Sequence, residues 1–201
     1  MNLTRRAALF TSLAACATAW AAEPPFRTLA QLERRAGGRL GVAVLDTGSG
    51  EQWAHRGDER FGMCSTFKLP LAAAALARVD AGSWQATDAL LLREADIVGH
   101  APVTRARVKE GRMNLIDLAQ AAQTHSDNGA ANLLLRRLGG PAAFTAWLRT
   151  QGDASTRIDR MEPEMNHVVQ GDLRDTTTPA AMAALTARLA LGDALQPASR
   201  E

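Results

Sequence analysis

STFKLPLAAAALARVDAG, Ser65 to Gly82, is the stretch on which the reading of this chain turns. Phe67 to Val79 is apolar and alanine-rich, the composition of a helix buried on most of its faces, and Gly82 supplies its stop. Upstream, Leu40–Leu45 (LGVAVL) reads as a buried strand. A turn cluster at Asp46-Thr47-Gly48-Ser49-Gly50 returns the chain into a second strand, Gln52–His55. Before them, Phe26–Gly37 carries Leu29, Leu32 and alanines at helical spacing, with Gly37-Gly38 as the stop. Downstream the chain reads as almost entirely helical. Leu115–Thr124 and Asn128–Leu138 follow, the latter ended by Gly139-Gly140. Pro141 opens a helix to Gln151, and Thr178-Pro179 caps a last one, Ala180–Leu191. Ser155–Thr177 is long, polar and weakly periodic, a loop of the length that is usually functional. A terminal helix, two strands and a block of helices predict an α+β fold, an α/β sandwich around one core.

The 201 residues suffice for one domain. A net charge of +2 with no run of Lys or Arg, and only 4% aromatic residues, gives no electrostatic footprint for nucleic acid. The first residues read as an address. Arg5-Arg6 precedes an apolar run, Ala7–Ala22, that is too short to span a bilayer, and Ala19-Trp20-Ala21 offers a small-x-small cleavage site. Residues 1–21 are therefore expected to be an exported protein's signal, with the working domain at 22–201. Leu13-Ala14-Ala15-Cys16 also looks like a lipoprotein box, which would put a lipid on Cys16 in the periplasm. With Cys16 in the signal, Cys64 has no intrachain partner. The four histidines show no metal-ligand spacing.

Three short motifs carry chemistry. Ser65 and Lys68 stand three apart, about one turn of helix, so a lysine ammonium or amine there can bond the serine hydroxyl and relay its proton. Alone, S-x-x-K is weak, since about one occurs by chance in a chain this long. Its bland reading is an N-cap serine and a solvated lysine. Ser126-Asp127-Asn128 sits between two apolar helices and offers a second hydroxyl beside a carboxamide; a helix cap is the alternative. Glu162-Pro163-Glu164-Met165-Asn166 lies in the long loop, where Glu162 and Asn166 can hold a water between them; the alternative is a polar surface.

In this order and at these separations, the three motifs closely resemble the class A serine β-lactamases, for which S-x-x-K and SDN are known signatures. The resemblance runs from about Phe26 to the end. It includes Arg160 and Asp175, a family salt bridge that pinches the long loop, and the run from Gly171 to Pro179. It implies a β-lactamase/transpeptidase-like fold and hydrolysis of β-lactam antibiotics through a serine acyl-enzyme. Ser65 is then the nucleophile and Lys68 its proton-relay partner. Ser126 protonates the leaving nitrogen, Asn128 holds the substrate's acylamide, and Glu162 with Asn166 positions the deacylating water. Whether Lys68 or Glu162 takes the proton in acylation stays open. No metal or organic cofactor is implied. The partner is a small-molecule β-lactam, and the expected state is a monomer.

The sequence also departs from the family. His100 occupies the place of an aromatic gatekeeper facing the site. Cys64 is a mark of the carbapenem-hydrolysing subgroup, where it is bridged to a C-terminal cysteine that this sequence lacks. The family's Lys-Thr/Ser-Gly triad is also lacking, and with it the strands expected to complete the sheet and half of the oxyanion hole. The expectation is therefore a C-terminally truncated chain, and a truncated, inactive fragment is one alternative. A penicillin-binding transpeptidase or carboxypeptidase is the other, against which the Glu162 loop speaks.

Overall fold

The computed structural model describes residues 25–200; the segment read as a signal, with Cys16, lies outside them. Helix α1 (Pro25–Ala36) precedes an antiparallel hairpin, β1 (Val42–Leu45) with β2 (Gln52–His55), in which Val44 faces Trp53 and Leu45 faces Gln52. Asp46 closes the turn, its Oδ1 accepting from the N–H groups of Gly48 and Ser49. Glu33 ties α1 to the hairpin, accepting from Arg56 Nε at 2.6 Å, His55 Nε2 at 2.9 Å and the Leu40 N–H at 3.0 Å. These partners, Arg56 first, hold its carboxyl down at about 2.

The helical block centres on α2 (Lys68–Asp80), which packs against α4 (Leu115–His125), α5 (Asn128–Leu138), α6 (Pro141–Thr150) and α7 (Pro179–Leu191). Its alanines make this contact close. Leu71 and Ala74 are fully buried, as are Leu118 of α4, Leu134 and Leu135 of α5, and Phe144 and Leu148 of α6. Truncating one such leucine costs roughly 2–5 kcal/mol. Polar caps set the helix ends. Asn114 accepts from the Asp117 N–H at the start of α4, Asp127 from Ala130 N–H on α5, and Thr178 from Ala181 N–H on α7. Gly139, at φ 101°, ends α5 in the left-handed conformation that glycine adopts without penalty.

The α+β class and the main helices stand as read from sequence, and β2 and α5 keep their expected bounds. Four short strands were not foreseen. The pair β3 (Phe61–Gly62) with β6 (Thr176–Thr177) joins the approach to Ser65 to the end of the long loop. The pair β4 (Ala89–Leu91) with β5 (Arg112–Asn114) flanks α3 (Pro102–Arg107), itself unforeseen, as is the last helix, α8 (Pro197–Arg200). The chain after Thr66 is therefore less purely helical than its apolar pattern suggests. Strands of two or three residues are too short to show alternation, so only pairing across the fold defines them.

Candidate active site

Ser65 lies in a tight 3-10 turn, Cys64–Phe67, that runs directly into α2. Cys64 enters this turn at φ 44°, with its thiol free and exposed. Lys68 is the first residue of α2, and its side chain is 2% exposed, so the solvated-lysine alternative falls. Its ammonium reaches Ser65 Oγ at 3.2 Å, Ser126 Oγ at 3.1 Å, the Ser126 carbonyl at 2.8 Å and Asn128 Oδ1 at 2.6 Å. The Ser126 hydroxyl closes the triangle by donating to Ser65 Oγ at 2.8 Å. Burial pushes the Lys68 ammonium below the usual lysine range, and the Glu162 carboxylate pulls the other way.

The SDN turn is built from below by Asp127. Fully buried, its carboxylate accepts from the N–H groups of Val103 and Thr104, the Thr104 hydroxyl at 2.7 Å and the Ala130 N–H. With Asp127 fixed, Ser126 turns left-handed at φ 54°, which aims its hydroxyl at Ser65 and its carbonyl at Lys68. Asn128 starts α5 with Oδ1 spent on Lys68, leaving its amide nitrogen beside Gly99. A Cβ at Gly99 would stand 2.9 Å from that nitrogen, so this close approach needs glycine.

Opposite, the long loop closes on itself. Arg160 Nε meets Asp175 Oδ2 at 2.5 Å, and Asp175 Oδ1 accepts from the N–H groups of Asp159 and Arg160. The pinch expected from sequence is therefore present in the geometry. Glu162 is 2% exposed. Asn166 Nδ2 donates to its Oε2 at 2.5 Å. Its Oε1 lies 3.2 Å from Lys68 Nζ, an ion-pair distance, yet has no hydrogen-bond partner. A buried carboxylate oxygen left free beside a lysine can accept a proton from a molecule that enters there.

Asn132, which sequence reasoning missed, fixes the loop to α5. Its amide nitrogen donates to the Glu162 carbonyl at 2.8 Å and its Oδ1 accepts from the Glu162 N–H at 2.9 Å. The signal was available, because Asn132 stands four residues after Asn128 on one face of an otherwise apolar helix. Ser65, Lys68, Ser126, Asn128, Glu162 and Asn166 thus meet in one cluster. His100 sits at its margin, exposed, with its ring on the His125 carbonyl.

The profile of the β-lactamase enzyme family matches residues 24–201. A β-lactamase of Rhodobacter capsulatus is 48% identical over 188 residues, 92% of this chain and 64% of that protein. β-Lactamase L2 of Stenotrophomonas maltophilia is 51% identical over 86% of this chain and 56% of its own length. The chain thus spans less than two thirds of the length of both relatives. Among solved structures, an ancestral class A β-lactamase superposes with a TM-score of 0.86 at 58% identity, covering 88% of this chain and 68% of that one. A β-lactamase from Xanthomonas campestris gives 0.84 at 52% identity, over 87% and 65%. With Ser65, Lys68, Ser126 and Glu162 gathered in one site, this chain belongs to the β-lactamase enzyme family, on its class A branch.

Proposed function

We propose that the chain hydrolyses β-lactams by way of an acyl-enzyme on Ser65. The observation that carries this reading is Lys68, whose buried amine touches both serine hydroxyls and stands beside the free Glu162 oxygen. Ser65 Oγ attacks the lactam carbonyl while its proton passes to Lys68, which acts in the neutral amine form that its burial favours. Glu162 stands beside Lys68, its Oε1 3.2 Å from the Lys68 nitrogen. The C–N bond then breaks, and the nitrogen takes a proton from Ser126, which Lys68 replenishes. The Asn128 amide nitrogen holds the acylamide of the substrate. In the second half, Glu162, oriented by Asn166, takes a proton from water. The resulting hydroxide adds to the ester carbon, the bond from that carbon to Ser65 Oγ breaks, and the oxygen takes the proton back from Glu162 by way of Lys68. The Ser65 N–H supplies one oxyanion donor.

Acylation is expected at Ser65 alone, because its hydroxyl is the one that both Lys68 and Ser126 reach. Intact-mass spectrometry after exposure to a penicillin tests it. One adduct is expected on the wild-type chain and none on Ser65→Ala, and equal labelling of the two would overturn the reading.

The remaining proposals rest on sequence. Export with removal of the segment before about Ala22 rests on Arg5-Arg6 and the apolar run to Ala22, and a protein recovered from the periplasm with its N-terminus intact would contradict that removal. Carbapenem turnover rests on Cys64 beside the nucleophile. In a form of the enzyme that supplies Cys64 with a cysteine partner, it predicts that Cys64→Ser reduces carbapenem turnover more than penicillin turnover, and equal effects would remove it.

A further inference from the structure

We infer that His100 is a positioning residue for Ser126, acting as a latch on the turn that carries the proton-relay hydroxyl; this rests on the acyl-enzyme reading above. The argument starts at the end of α4. The last carbonyls of a helix have no partner within it, and the His125 carbonyl is one of them. His100 Nε2 lies 3.1 Å from that oxygen. A carbonyl only accepts, so this ring nitrogen carries the hydrogen. The acceptor belongs to the peptide group that leads into Ser126, and its orientation sets the φ of Ser126.

That φ is 54°, the left-handed region, which side chains other than glycine seldom adopt. Ser126 needs it, since it aims Oγ at Ser65 and the carbonyl at Lys68 together. His100 also grips the far side of the motif, its own carbonyl accepting from the Asn128 N–H at 2.8 Å. One residue thus brackets the turn, with the ring before Ser126 and the main chain after Asp127. The preceding Gly99, at φ 54° and against the Asn128 amide, brings the strap close enough to do so. Asp127 anchors the middle of the turn from the buried side, but none of its contacts touches the peptide entering Ser126. That peptide is held at both ends, its N–H by the Ala121 carbonyl and its carbonyl by the ring.

Two substitutions separate this role from a substrate contact. His100→Gln retains a side-chain N–H donor of similar reach. His100→Phe retains a flat ring and loses the donor. The position is exposed, so both should fold, and a thermal melt verifies this. Two readouts apply to the full chain: the rate and concentration dependence of Ser65 acylation by a fluorescent penicillin, and amide hydrogen exchange at Ser126 and Asn128. For His100→Phe, maximal acylation should fall about fivefold, the net worth of one hydrogen bond, at unchanged half-saturating penicillin. Exchange at both amides should rise. His100→Gln should recover both to within about twofold. A half-saturation change alone, or wild-type acylation and exchange in His100→Phe, would overturn the latch. If the wild-type chain itself fails to acylate, the acyl-enzyme reading falls, and exchange still decides. Faster exchange in His100→Phe that His100→Gln restores supports the latch, and unchanged exchange refutes it.

Discussion

Ser65, Lys68, Ser126 and Asn128 ride on α2 and the α4–α5 turn, whose supports are the buried apolar faces of four helices and the fully satisfied Asp127 carboxylate. Glu162 rides on a loop without long secondary structure, held by the Arg160–Asp175 pair, the two hydrogen bonds of Asn132 and the buried Met165. On the proposed mechanism, the groups for acylation therefore stand on redundant packing, and those for deacylation on a few polar ties. Packing loses stability in steps as atoms are removed, whereas a polar tie fails when one partner goes. The two halves of the reaction should accordingly be separable by mutation.

The largest effect expected on the helical side is Lys68→Met. Removing the base in direct contact with Ser65 should slow acylation about 1000-fold, by the usual reach of general-base catalysis. Methionine fills a similar volume but leaves the buried Glu162 carboxylate without its counter-charge, so a thermal melt of the variant accompanies the rate. Stopped-flow labelling checks the rate. In the wild-type chain the same rate should rise with pH through a group below the usual lysine range, since burial disfavours the charged amine. A profile flat from neutral to alkaline pH would remove Lys68 as the base.

On the loop side, Asn132→Ala should lengthen the life of the acyl-enzyme about 100-fold, a cost typical of a catalytic group displaced by about 1 Å. Its acylation rate should change little. Equal slowing of both steps, seen in single-turnover mass spectra, would mean that the two supports are one unit.

Asp175→Asn keeps an acceptor for the Asp159 and Arg160 N–H groups but removes the charge facing Arg160. Breaking a buried pair costs roughly 3–5 kcal/mol. Arg160 is 18% exposed, so about 3 kcal/mol is the appropriate end. Calorimetry should show Tm lower by about 6–12 °C. The smallest effect is at Glu33. Its carboxyl is held at about 2, chiefly by Arg56, so the unfolded chain binds the proton more readily. The stability it gives α1 and the hairpin is present above the ordinary glutamate range and is lost as pH falls toward about 2. Acid titration by circular dichroism should begin at higher pH in Glu33→Gln than in the wild type.

The same contrast explains what the sequence made legible. The helices around Ser65 announce themselves through apolar runs, Pro141 and Pro179 at their starts and Gly139 at an end, all local signals. Ser65–Lys68 and Ser126–Asn128 are legible because each motif is a few residues long on one such element. The loop could be recognised by its length and polarity, but not its tether. Asn132 is a single polar residue in a helix, and its partner lies 30 positions away. Likewise β3 and β6 pair across more than 100 residues with two residues each. Their formation depends on a fold already assembled, so no local pattern encodes it. His100 was read as a residue facing substrate; the geometry adds a contact to the His125 carbonyl that spacing does not reveal.

The division between the two supports is tested most directly at Glu162. Wild-type and Glu162→Gln chains are mixed briefly with a penicillin, excess drug is removed, and the acyl adduct on Ser65 is followed by intact mass. The account predicts that the Glu162→Gln adduct forms within about tenfold of the wild-type rate and then persists at least about 100-fold longer, because the water has lost its base while Lys68 remains. An adduct that clears as fast as in the wild type, or that does not form, would contradict it.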